Sequence, residues 1–153
     1  MTKIKFTSHN LEVTRMQIEK LEINTDFSDR WVTFKKNSVA SYKQVFLKLI
    51  LTNKKTIYLI LDNTFLTYVD EVISVRYNGE LVQYVQNTKQ KEKLEIINQK
   101  LKKLKQEIKL HQAYYDLNIN NLDLVEMQKL KHKLFVYEAI SSFSLERLLD
   151  EKN

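Results

Sequence analysis

The chain has 153 residues and a formal charge of +6, with 25 Lys and Arg against 19 Asp and Glu, one Gly, no Pro and no Cys. That length suits one domain, or one domain with a helical appendage, and folding at this size buries roughly two thirds of the unfolded surface without a disulfide or metal staple. The missing Cys excludes disulfides, thiolate metal sites and cysteine nucleophiles. The single Gly79 closes the glycine-rich phosphate-loop and dinucleotide-fingerprint routes, which need several glycines.

No apolar run approaches the roughly 18 residues of a membrane span, and residues 1–10 lack the apolar core of a signal peptide. The expectation is a soluble, cytoplasmic protein. The basic residues are mostly Lys, with Arg only at Arg15, Arg30, Arg76 and Arg147. Lys suits non-specific phosphate contact, and Arg suits bidentate recognition. Richness in Lys, Asn and Ile also matches A/T-rich codons, so genomic bias is a sufficient alternative cause.

Residues 3–34 carry short alternations. Ile4 and Phe6 alternate with Lys3 and Lys5, then Met16 and Ile18 with Gln17 and Glu19, and Trp31, Val32 and Phe34 follow a polar break. Two or three strands are expected, although Leu11 to Leu21 also fits a helix. Residues 24–29, Asn-Thr-Asp-Phe-Ser-Asp, carry turn chemistry, because Asn, Asp and Ser side chains bond their own backbone. Asn37 or Ser38 then caps an expected helix to about Thr52, with Val39, Tyr42, Val45, Phe46, Leu49 and Ile50 on one face.

Thr56 to Leu61 is a nearly continuous apolar run and reads as a strand buried on both faces, continued by Phe65 to Val69. Val72 to Val85 reads as a hairpin about Asn78-Gly79, the preferred pair for a type I′ turn. Tyr77 would then face Glu80, Val75 would face Val82, and Ile73 would face Tyr84.

Lys89 to Tyr115 predicts one helix of roughly 40 Å, with Leu94, Ile97, Leu101, Leu104 and Ile108 as its seam. An Asn-rich turn is expected at Asn118 to Asn121, then a second helix with Met127, Leu130, Leu134 and Tyr137 in a row. A last short helix is expected from Phe143 to about Glu151. The fold class is α+β: an N-terminal antiparallel or mixed sheet with one packed helix, then a long antiparallel helical hairpin and a short terminal helix. Residues 1–87 form the α/β head, and residues 88–153 the coiled-coil-like hairpin, packed on it as one cooperative unit.

No catalytic constellation emerges, and the reading is not an enzyme. Asp26, Asp29, Asp62, Asp70 and Glu71 fall where turns are expected. His9, His111 and His132 show no metal spacing. Neither a nucleophile elbow nor a cofactor motif is present, so no catalytic residue, metal or cofactor is expected.

The candidate contact residues are Lys100, Lys102, Lys103, Lys105 and Lys109 on the basic long helix, with Tyr114 and Tyr115 near the hairpin tip. A solvated coiled-coil face is the structural alternative for the lysines. The leading functional reading is a non-enzymatic macromolecule-binding protein with a protein partner. Its profile is that of a phage or mobile-element inhibitor of a host nucleic-acid-handling protein, for example a CRISPR or restriction effector. The alternatives are sequence-nonspecific nucleic-acid binding through the lysines, and self-assembly as a homodimer through the seam.

Overall fold

The structure is a computed structural model, and it describes residues 2–117 and 124–148. Among the described residues, eight strands and two helices make a mixed α+β fold. The strands are β1 (Thr2–Ser8), β2 (Val13–Asn24), β3 (Val32–Thr33), β4 (Val39–Leu51), β5 (Thr56–Val69), β6 (Val72–Asn78), β7 (Gln83–Gln86) and β8 (Leu145–Arg147). The helices are α1 (Lys91–Asp116) and α2 (Leu124–Phe143). The chain divides into two compact units, one of residues up to Gln86 with those from Glu146 onward, the other of Asn87–Leu145.

In the strand unit the pairings close on themselves. β1 pairs β2, β2 pairs β4, β4 pairs β5 and β5 pairs β6, all antiparallel, and β6 returns to β1 in parallel. Closure gives each member a neighbour on both sides along part of its length, the usual way an all-strand core satisfies its backbone. Alternation then sends every second side chain inward. Ile4 and Phe6 of β1, Ile18, Leu21 and Ile23 of β2, Val45, Leu47 and Leu49 of β4, Leu59, Leu61 and Leu66 of β5, and Ile73 and Val75 of β6 form one core. Each such side chain contributes about 1.5–3 kcal/mol of burial.

Two long strands serve more than one neighbour. The register of β2 shifts between Ile18 and Lys20, where it passes from β1 to β4. On β5 the register with β6 shifts between Asp62 and Phe65, beside Asn63 at φ 44°. The extra residue changes which parity points inward, from Leu59 and Leu61 to Leu66 and Tyr68. It also lets the first half of β5 pair β7, with Tyr58 opposite Tyr84, while the second half pairs β6.

Three expectations are corrected. The packed helix expected from Asn37 or Ser38 to Thr52 is strand β4, paired with β5 from Val39↔Thr67 to Ile50↔Thr56. Its Val45, Phe46, Leu47 and Leu49 are buried on both faces, and that near-continuous apolar run mimicked a helical stripe. The hairpin expected about Asn78-Gly79 does not form. β6 is already flanked by β5 and β1, so the chain must leave, and only Gly79 of that pair takes a positive φ, 89°. The terminal helix expected from Phe143 is also absent among the described residues. α2 ends at Phe143, Ser144 turns at φ 53°, and Leu145–Arg147 is a strand.

The hairpin that does form uses Asp70 and Glu71, both at positive φ (51° and 62°), as a type I′ turn requires. In the helical unit, Asn98 bonds Ser141 and Lys105 pairs with Glu138 at 3.8 Å. That reversed order makes α1 and α2 antiparallel. The seam residue Leu104 is buried, whereas Leu94, Ile97, Leu101 and Ile108 are half-buried. The Asn-rich turn expected at Asn118 to Asn121 lies outside the described residues.

The Asp70-Glu71 turn yields a stability prediction. A side chain in the left-handed region costs about 1–2 kcal/mol, and glycine's extra chain entropy takes back about 0.5–1 kcal/mol. The pair Asp70→Asn with Glu71→Gly should therefore stabilise the protein by roughly 0.5–1 kcal/mol in urea unfolding. The double variant also removes the Lys36–Glu71 ion pair, which is exposed on both sides and contributes little.

Candidate functional site

Outside the ring, the register places side chains in rows. The first row runs Val13, Thr7, Arg76, Phe65, Ser41 across β2, β1, β6, β5 and β4. The second runs Arg15, Lys5, Ser74, Thr67, Val39, and the third Gln17, Lys3, Val72, Val69. Every position in these rows is exposed or half-buried, and none is acidic. Neighbouring strands lie about 4.8 Å apart and residues rise about 3.3 Å along each, so Lys5 lies within about a Debye length of Lys3, Arg15 and Arg76. Phe65, 44% exposed, lies beside Arg76.

One pairing in this face runs against ordinary sheet chemistry. Arg15 and Lys5 are directly opposite on antiparallel strands. Like charges in that relation destabilise a sheet, whereas opposite charges contribute roughly 0.2–1 kcal/mol. The β2–β4 pair shows the ordinary arrangement, with Glu22 opposite Lys48 and their charged atoms 3.9 Å apart.

Around Glu22 the outer surface is built differently. Asn24 is buried and ties the following loop, its Oδ1 accepting from the backbone N–H groups of Asp26 and Phe27 while its Nδ2 donates to the Ser28 carbonyl. The hydroxyl and then the backbone N–H of Ser28 donate to Asp26, holding its carboxyl below its ordinary value. The tied loop lays Phe27 and Trp31 against Phe46 and Tyr58, with ring centroids 5.1–6.0 Å apart. Lys48 Nζ sits 4.8 Å from the Trp31 ring centre. These groups partner one another and read as packing.

An open cleft of about 250 Å³ lies over one end of the ring, lined by Thr2, Lys20, Phe34, Lys36 and Tyr68 among others. The Thr2 and Tyr68 hydroxyls are hydrogen-bonded across it at 2.8 Å. Among the described residues, no three His, Asp or Glu side chains gather to hold a metal ion.

The structure places the sequence candidates on α1. Lys100, Lys102, Lys103, Lys105 and Lys109 are all exposed, but helical spacing spreads them, with Lys100 and Lys103 along one side and Lys102, Lys105 and Lys109 along another. Tyr114 is half-buried and Tyr115 is 61% exposed. Sequence reasoning missed Lys3, Lys5, Arg15, Arg76 and Phe65 as a group. The alternation of Lys3 and Lys5 with Ile4 and Phe6 was the available signal, but only the β1–β6 pairing brings Arg76 alongside.

Residues 2–82 match the model of a family described as UU051 N-terminal domain. The matched stretch takes in every strand of the ring. The chain is also similar to Uncharacterized protein UU051 of Ureaplasma parvum serovar 3 (strain ATCC 700970), at 23% identity over 149 residues, 89% of this chain and 87% of that protein. No helix among the described residues is long and apolar enough to cross a membrane.

Three tyrosines of the strand unit titrate late. Burial raises Tyr58, aided by the Glu22 charge; burial raises Tyr77, aided by Glu12; and burial raises Tyr84 against the opposing pull of Arg147. An acid whose folded pKa is raised contributes stability below its unfolded value, near 10.0 here, and loses it as pH climbs through the folded value. Thermal stability should hold on the neutral side of pH 10 and fall above it. Phenolate absorbance at 295 nm should show a late class of tyrosines whose ionisation tracks the loss of circular dichroism.

Proposed function

We propose that this chain, which belongs to the UU051 N-terminal domain family, is a non-enzymatic nucleic-acid-binding protein whose contact surface is the basic outer face of the strand ring. The observation that carries this reading is the directly opposed Arg15 and Lys5, flanked by Lys3 and Arg76 with no acidic residue in the rows. A polyanion turns that repulsion into attraction, since each neutralised phosphate releases a counterion. The binding does not depend on base sequence, because cations set on the face of a sheet meet phosphates and not base edges.

A second reading is supported by the exposure of Tyr115 together with the α1 lysines: contact with a protein partner, as an inhibitor of a nucleic-acid-handling machine would require. A tagged pull-down with and without nuclease separates the two. Retention that vanishes with nuclease supports the nucleic-acid reading. One or two proteins retained after nuclease would overturn it in favour of the second.

The opposed pair gives a sharper test. Arg15→Glu places an acid opposite Lys5 and should raise stability by roughly 0.2–1 kcal/mol in urea unfolding. The same change should weaken binding to a labelled oligonucleotide and lower the slope of log affinity against log salt by about one or more. Unchanged affinity with an unchanged salt slope would sink the proposal.

A further inference from the structure

The nucleic-acid reading leaves open which form of the polymer the face accepts. We infer that it takes single-stranded nucleic acid, with one base stacked on Phe65 and the neighbouring phosphates held by Arg76, Lys5 and Arg15. This rests on the nucleic-acid reading above and adds a reason for the apolar side chains in the same rows.

The register makes the geometry specific. Phe65 has Arg76 opposite it on one side and Ser41 on the other, each with its Cα about 5 Å away. A cation on one flank and a small hydroxyl on the other leave the ring open to a flat partner. Thr67, two residues along the strand, is also short, so no bulky side chain covers the ring from that direction. Arg76 can hold a phosphate while its guanidinium plane lies beside the stacked base.

A duplex uses this surface poorly. Its bases are already stacked on one another, and it presents phosphates and groove edges. Reading a major groove takes a helix or a two-stranded ribbon that can enter it. The middle of the face has no free strand pair to offer, because β1, β6 and the second half of β5 are each flanked on both sides. Phe65 would then lie idle among the phosphates, and Val13 and Val72, both exposed, would meet only water and charge. A single strand offers base faces and phosphates together, which is the combination these rows display.

The test is fluorescence anisotropy with a labelled oligouridine, an oligodeoxythymidine, a duplex of equal phosphate number, and heparin as a polyanion without bases. The wild-type chain should bind both single strands more tightly than the duplex. Phe65→Ala should weaken single-strand binding by roughly 10-fold and leave duplex and heparin binding unchanged. Phe65→Leu keeps apolar bulk without the ring and should behave like the alanine variant, with both variants retaining the wild-type circular dichroism and melting point. Equal affinity for single strand and duplex, or Phe65 variants with undiminished single-strand affinity, would overturn the inference while leaving the basic-face reading in place. Wild-type chain that binds neither strands, duplex nor heparin would remove that reading as well.

Discussion

The strand unit depends on one contact, the parallel pairing of β1 with β6 from Lys3↔Val72 to Ser8↔Tyr77. Without it, β1 and β6 would be edges, each with a row of unpaired backbone groups, and Ile4, Phe6, Ile73 and Val75 would lose the neighbours that bury them. A parallel neighbour cannot be reached by a tight turn. The chain bridges the distance by winding β2, β4 and β5 around the ring. The bulges on β2 and β5 are part of the same solution, since they let strands longer than their partners bend from one neighbour to the next.

The same pairing sets the charge pattern outside. By fixing β1 against both β2 and β6, it brings Arg15, Lys5 and Arg76 together and adds Lys3 one row along. The chain clearly accommodates opposite charges across strands elsewhere, as Glu22 and Lys48 show. The unbalanced patch is therefore a local departure from the sheet's ordinary chemistry. Residues that break a local rule with no visible compensation in the fold are where function is best sought.

The helical unit follows its own logic. Its seam alternates three and four residues, and Leu104 is buried between exposed lysines. Two specific contacts, Ser141 with Asn98 and Lys105 with Glu138, fix the antiparallel order. At its base, Gln90 donates to the Leu145 carbonyl, and Ser144 donates to the Asn87 carbonyl while accepting from the Asn87 N–H through its own carbonyl. These bonds hold the chain reversal at Ser144, where α2 gives way to β8.

Local chemistry was legible where it stood alone. The Asn24 turn, the strand at Thr56 to Leu61, the inward Ile73, Val75 and Tyr77, and the seam of α1 each follow from period or side-chain hydrogen bonding within a few residues. The sequence by itself determined an α+β chain with a strand-rich first half, a helical second half and no glycine-rich phosphate loop. Tertiary structure alone decided that Val39 to Leu51 is a strand, because its centre around Val45, Phe46 and Leu47 is buried on both faces and loses the alternation that marks one. It also decided that Asp70-Glu71 and not Asn78-Gly79 makes the hairpin, because β6 had no free side left once β1 had taken it. The basic face with Phe65 has the same origin. Its members lie up to seventy-three residues apart, from Lys3 to Arg76, and only closure of the ring sets them side by side.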